Sequence, residues 1–221
     1  EARNLAKLNG HMHVVNYKQV DENDSYFLIV MELCQKSIET HFKSKAKTFS
    51  IQSVRQYFLQ LAEGLEYLHS NGIVHRDLKQ DNICFGSNGK LKLVDLGLAT
   101  QFEGQGMKTA DRSTLYKPRG CPFYRAPECR DPKVSIDGKA DVWSLGLVIA
   151  EMLCGWFIQD CPGYQNNEPS QNNDMRKFII STAKKKDKVL GNIVSRMLQP
   201  KLTSRLTSEK LVQELKKIGL E

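Results

Sequence analysis

The sequence predicts an α+β chain that is mainly helical, with a small antiparallel sheet in its first part. Three observations point there. Several stretches repeat apolar residues in steps of three and four, the period of a helix with one buried face. Two apolar runs near the start flank a turn-rich polar cluster, and two more flank Asn88-Gly89, the pattern of antiparallel hairpins. Finally, 221 residues that are 40% hydrophobic, with both charge signs interspersed, suffice for a sizeable core.

Taken in order, "EARNLAKLN" (1–9) carries Leu5 and Leu8 at helical spacing and reads as the tail of a helix. "HVVNYKQV" and "YFLIVMEL" follow as strands around "DENDS". A polar segment, 35–48, leads to Ser50, which can cap a helix with its apolar stripe at Ile51, Val54, Tyr57, Phe58, Leu61, Leu65 and Leu68 and its stop at Asn71-Gly72. "ICF" and "LKLV" around "GSNGK" make the second hairpin. Residues 95–140 are rich in glycine, proline and charge with little periodicity, a long loop of the kind that carries function. Helices are expected again at 141–154, 189–198 and 208–218, and the polar stretch 160–175 is expected to be exposed.

Composition narrows the function classes. The net charge is +7, but the lysines cluster only at 42–49 and 183–188, and "AKKKDK" has no interleaved aromatic residue, so solvated faces are expected and no nucleic-acid partner. The most apolar segment, 142–158, carries Glu151 and is too short and interrupted for a membrane span. Six cysteines form no C-x-x-C pair, which points to reduced thiols in the cytoplasm or nucleus.

Chemistry concentrates in "IVHRDLKQDNICF" (73–85), on the loop between the long helix and the second hairpin. Asp77, Lys79 and Asn82 form the set needed where a hydroxyl loses a proton beside a polyphosphate: a carboxylate to accept the proton, an ammonium to balance phosphate charge, an amide oxygen to ligate magnesium. Asp95 in "LVDLGLA" follows at a strand end as a second metal-binding carboxylate, with glycine close by to let the chain turn sharply.

With these residues in view, the chain resembles the eukaryotic protein kinases of the serine/threonine type. "HRDLKQDN" matches the catalytic loop H-R-D-L-x-x-x-N, "DLG" stands for D-F-G, "RGCPFYRAPE" is similar to the G-T-P-x-Y-x-A-P-E segment, and "DVWSLG" resembles the start of the family's central helix. The resemblance implies a kinase-like fold, with residues 1–34 a remnant of the amino-terminal lobe and residues 35–221 the helical carboxy-terminal lobe, its catalytic loop at 75–82 and its activation segment at 95–128. It implies transfer of the γ-phosphoryl group of ATP, with Mg2+, to protein substrates.

By the same resemblance Asp77 would be the catalytic base, Lys79 a γ-phosphate contact, and Asn82 and Asp95 the magnesium ligands. Met31 would be the gatekeeper, Glu32 and Cys34 would offer backbone groups to adenine, and Cys84, Val148 and Met152 would form its apolar floor, unless these are core residues only. His75 and Leu96 would stack in the regulatory spine with Leu5 and Tyr17. Asp141 would hold the catalytic-loop backbone, and Glu128 would pair with Arg205. Arg76 could pair with a phosphate on Thr114 or Tyr116 and order the activation segment. Asp81 suggests a preference for basic residues before the phosphoacceptor.

Three departures stand out. The glycine-rich loop and the strand lysine of the family are not in these 221 residues, and the spacing from Leu5 and Leu8 would place Glu1 at the helix glutamate, which suggests an amino-terminally incomplete kinase. The rival is a pseudokinase-like scaffold without turnover. Cys121 replaces the threonine that bonds the catalytic aspartate and lysine, so a weak S–H donor would have to substitute. Region 155–188 matches the family poorly, which puts its usual docking helix in doubt.

Overall fold

The computed structural model describes residues 8, 10–22, 27–44, 48–103, 108–109, 120–131, 134 and 136–219. Strands β1 (Tyr17–Glu22) and β2 (Phe27–Met31) pair antiparallel, Val20 opposite Ile29, with an irregularity between Tyr17 and Gln19. Helix α1 (Ile38–Lys43) is a short turn capped by Ser37, whose side chain accepts from Thr40 N–H. It lies in the segment that the sequence left polar and unstructured, because six residues are too few to show a period.

Helix α2 (Ile51–Ser70) starts where expected, with Ser50 Oγ accepting from Ser53 N–H at 3.0 Å, and ends at Asn71. Its buried stripe includes Val54, Phe58, Leu61, Leu65 and Leu68. Strand β3 (Ile73–Val74) pairs with β6 (Thr100–Glu103), which pairs with β7 (Lys108–Thr109), so part of the long loop is pinned to β3, just before the loop that carries Asp77. Strands β4 (Ile83–Phe85) and β5 (Leu91–Leu93) form the second hairpin, Ile83 opposite Leu93.

Helix α3 (Lys139–Cys154) is buried on nearly every side, as an all-round apolar helix must be, and ends on Gly155, whose φ of 79° closes the last turn with an N–H bond to Glu151 O. Around it pack α2, α4 (Asn173–Lys186) and α5 (Lys188–Met197), and α6 (Ser208–Lys217) packs on α2. Helix α4 corrects the doubt over region 155–188. It is capped by Asn172 and anchored by Met175, Ile179 and Ala183, a stripe too sparse among polar residues to read in advance. Lys184, Lys185 and Lys186 are exposed in its last turn, where cations suit the helix dipole. The stretch 160–175 is only partly exposed as expected: Cys161 is buried, and Arg130 pins the stretch through Glu168 and Ser170. Among the described residues no helix is long and apolar enough to cross a membrane, and all six cysteines are free thiols.

Candidate active site

The loop between β3 and β4 is held from beneath by α3. Asp141 Oδ2 accepts from His75 N–H and Oδ1 from Arg76 N–H, each at 2.8 Å, and His69 Nε2 lies 2.9 Å from Oδ2. Burial alone pushes the Asp141 carboxyl up, but the bond to His69 and the N–H of Arg76 more than offset it and hold it below the usual carboxylate range. An ionised acceptor at this point supports an unusual backbone: Arg76 has φ 68°, a left-handed conformation that costs a non-glycine residue about 1 kcal/mol or more.

The bend at Arg76 delivers Asp77, only 9% exposed, to a small polar cluster. Its carboxylate accepts from Asn82 Nδ2 at 3.0 Å and from Cys121 N–H at 3.1 Å, with Lys79 Nζ 3.5 Å from Oδ2. Asn82 Nδ2 also donates to Asp77 O at 2.8 Å, so the amide nitrogen serves the loop and the amide oxygen is the atom left for a cation. Lys79 is half-buried. Burial pulls its pKa down, but Asp77 and Asp81 outweigh that and hold the ammonium above its usual value. His75, fully buried, contacts Val94 O through Nε2 at 3.0 Å and accepts weakly from Asp77 N–H through Nδ1, linking the loop to the residue before Asp95.

Two expectations change in detail. The positive φ at "DLG" falls on Asp95, at 58°, and not on Gly97. Asp95 tolerates it because its own Oδ1 accepts from Gly97 N–H at 3.2 Å, the local bond by which aspartate and asparagine tolerate that conformation. At Cys121 the contact to Asp77 comes from the backbone N–H and not from the sulfur, so replacing threonine costs this contact nothing. The nearby Gly120 is what permits the approach: it has φ 84°, and a Cβ there would stand 2.6 Å from Arg76 O. Asp95 is exposed, and Val94 N–H bonds Asn82 O at 3.0 Å, which brings together the turn just before β4 that holds Asn82 and the segment just past β5 that holds Asp95.

At the far side, Met31 is 41% exposed. Glu32 N–H donates to Asn16 O, and its carboxylate accepts from Asn16 N–H and pairs with Lys92 Nζ at 2.7 Å. Cys34 and Cys84 are half-buried; burial pushes the Cys84 thiol up to about 11. Val148 and Met152, at 0% and 1% exposure, lie inside the core on α3. Leu96 is fully buried and Tyr17 packs on the core. Glu1, Leu5, Thr114 and Tyr116 lie outside the described residues.

The remaining scaffold contacts are present. Glu128 and Arg205 form a bidentate pair, Nη1–Oε1 2.5 Å and Nη2–Oε2 2.9 Å, almost wholly buried, with the guanidinium 5.0 Å over Trp143. Sequence reasoning missed His69, Lys92 and a further buried node: Glu151 accepts from Gln80 Nε2, Tyr124 Oη and Ile158 N–H. Burial pushes Glu151 up to about 8 despite those three donors. A lone glutamate inside the 142–158 apolar run was the one available signal.

Asp81, beside the cluster, is pushed up to about 6, first by burial and then by the hydrogen bond to Glu39 on α1.

Comparison with known proteins agrees with this geometry. The sequence model for the protein kinase domain matches residues 1–215. The chain is similar to the serine/threonine-protein kinase chk1 of Schizosaccharomyces pombe, 36% identical over 149 residues, which are 66% of this chain and 28% of that protein. It is 31% identical over 209 residues to CBL-interacting serine/threonine-protein kinase 20 of Arabidopsis thaliana, 95% of this chain and 46% of that one. To serine/threonine-protein kinase PLK1 of Xenopus laevis it is 29% identical over 205 residues, 92% of this chain and 32% of that one. The chain thus spans less than half the length of each of these relatives. From the match over nearly its whole length and the buried network around "HRDLKQDN", the chain belongs to the protein kinase domain family.

Proposed function

We propose that this chain carries the catalytic machinery of a protein serine/threonine kinase, with residues 1–34 belonging to the amino-terminal lobe and 35–221 forming the carboxy-terminal lobe. The observation that carries the reading is Asp77: a carboxylate held by Asn82 Nδ2 and Cys121 N–H, 3.5 Å from the Lys79 ammonium, on a strained loop that α3 supports from below. Asp77 accepts the proton of the substrate hydroxyl, and the two N–H donors aim it. Lys79 balances negative charge on the phosphoryl group in transfer. Most of the catalysis is positioning.

Asn82, just before β4, and Asp95, just past β5, supply hard oxygen ligands, a donor set that suits Mg2+, and they would hold it with the phosphates of ATP. The ion, when bound, neutralises phosphate charge. Met31, the Glu32 carbonyl, Cys34 and Cys84 would border the adenine, with Val148 and Met152 supporting the site from within the core. Arg76 would receive a phosphate from Thr114 or Tyr116, His75 and Leu96 would belong to the internal spine, and Glu1 would pair with a strand lysine. Substrates are serine or threonine hydroxyls of proteins, with basic residues nearby favoured by Asp81 and Glu39. The free thiols favour a cytoplasmic or nuclear setting.

The test is Mg-ATP-dependent transfer to a basic serine peptide by the native protein. Asp77→Asn is expected to lower kcat by about 10^2- to 10^4-fold. Equal, negligible turnover by both proteins, with nucleotide still bound, would favour a scaffold without catalysis.

A further inference from the structure

Ser208 opens α6, far along the chain from the catalytic loop, yet it is 5% exposed and its Oγ lies 2.8 Å from His69 Nδ1. The helix does not need this hydroxyl, because the neighbouring Thr207 already caps it by accepting from Lys210 N–H. His69 is the penultimate residue of α2, and its other ring nitrogen reaches Asp141 Oδ2 at 2.9 Å. Asp141 in turn receives the N–H groups of His75 and Arg76. The ring is crowded into this orientation: a Cβ on Gly138, just before α3, would stand 2.6 Å from His69 Nδ1.

We propose that Ser208 is a positioning residue for the catalytic loop, acting through His69 and Asp141. An ionised Asp141 accepts only, so His69 Nε2 must carry the proton, and in the neutral ring Nδ1 is then a buried lone pair that needs a donor. Ser208 O–H supplies it. The imidazole is thereby fixed as the third donor to Asp141, and Asp141 keeps the left-handed backbone at Arg76 that aims Asp77. Without the hydroxyl the lone pair is unpaired, the ring is driven to rotate, and the grip on the loop loosens. The catalytic consequence rests on the kinase reading; the mechanical coupling does not.

Backbone hydrogen exchange in the purified chain tests the coupling. Ser208→Ala is expected to speed exchange of the His75 and Arg76 amides about tenfold, the loss of roughly one buried hydrogen bond, while core amides of α2 and α3 keep their protection. Ser208→Thr, which retains the hydroxyl, restores protection. Gly138→Ala, which crowds the ring with Ser208 intact, reproduces the loss. In the native protein kcat falls in parallel in Ser208→Ala while KM for Mg-ATP stays constant. Unchanged exchange at His75 and Arg76 in Ser208→Ala or in Gly138→Ala, or a loss spread evenly over the helices, overturns the proposal. A native protein that binds nucleotide and transfers no phosphate would overturn the kinase reading and leave the exchange result standing.

Discussion

Asp141 and Glu151 sit at opposite ends of α3, both sealed from solvent at 1% and 0% exposure and both bonded to three donors, yet they ionise in opposite directions. Asp141 is held low, and Glu151 is pushed up to about 8. Position on the helix is one reason. Asp141 lies in the first turn, where the dipole favours negative charge, and Glu151 lies in the last, where it does not. The donors are the other. Asp141 meets two backbone N–H groups and an imidazole, whereas Glu151 meets one backbone N–H, a neutral amide and a phenol. Burial is therefore overcome at one end and wins at the other. The end that keeps its charge holds the loop of His75 and Arg76.

The largest expected effect comes from removing the charged end. Asp141→Ala strands three buried donors and is expected to cost about 3–5 kcal/mol, read as a lower urea midpoint, together with collapse of any phosphoryl transfer. Asp141→Asn should lose less stability, since one oxygen still accepts.

Glu151 makes a prediction in pH. Between the ordinary glutamate value of 4.5 and about 8, the folded chain holds a proton that the unfolded chain has released. Stability from this group is therefore lost as pH rises through that window, by up to about 1.4 kcal/mol per unit, and levels off above it. Glu151→Gln is expected to flatten that part of the Tm–pH curve. Its new amide could also reach Gln80 Oε1, a buried oxygen without a hydrogen-bond partner among the described residues. An equally steep curve in the variant would mean that Glu151 is ionised when folded, and the contrast between the two ends would fail.

Asp187 is a milder relative of Asp141. It caps α5 through the N–H groups of Val189 and Leu190 and accepts from Arg55 Nη2 at 2.6 Å; burial pushes it up, but those partners hold it low. Asp187→Ala is expected to cost about 1 kcal/mol, the ordinary worth of a cap, measured by thermal unfolding. The smallest effect belongs to Asp81, which shares its environment with Glu39 and gains a proton as pH falls through about 6. KM for an arginine-containing peptide is expected to rise roughly two- to fivefold from pH 7 to 5, and Asp81→Asn should abolish that rise.

Much of the frame was readable beforehand because it depends on local patterns. Helix α2 and the β4–β5 hairpin announce themselves by periodicity, a serine cap and Asn-Gly, and those devices act within a few residues. The loop residues Asp77, Lys79 and Asn82 were legible as a set for the same reason: their spacing is local. Helices α1 and α4 were not, being too short or too sparsely apolar, and spacing left open whether Val148 and Met152 border a ligand or only fill the core, where they are buried.

By itself, then, the sequence determined most of the helical frame, the family and the group of residues proposed to carry the chemistry, since each is written in spacing along the chain. Tertiary structure alone decided which side-chain donors meet Asp141 and Glu151. His69, Ser208, Gln80 and Tyr124 lie far from their partners in the chain, and nothing local links them. Whether a buried acid keeps its charge depends on the balance between desolvation and the donors that the fold gathers around it, and that balance exists only once the chain has closed on itself.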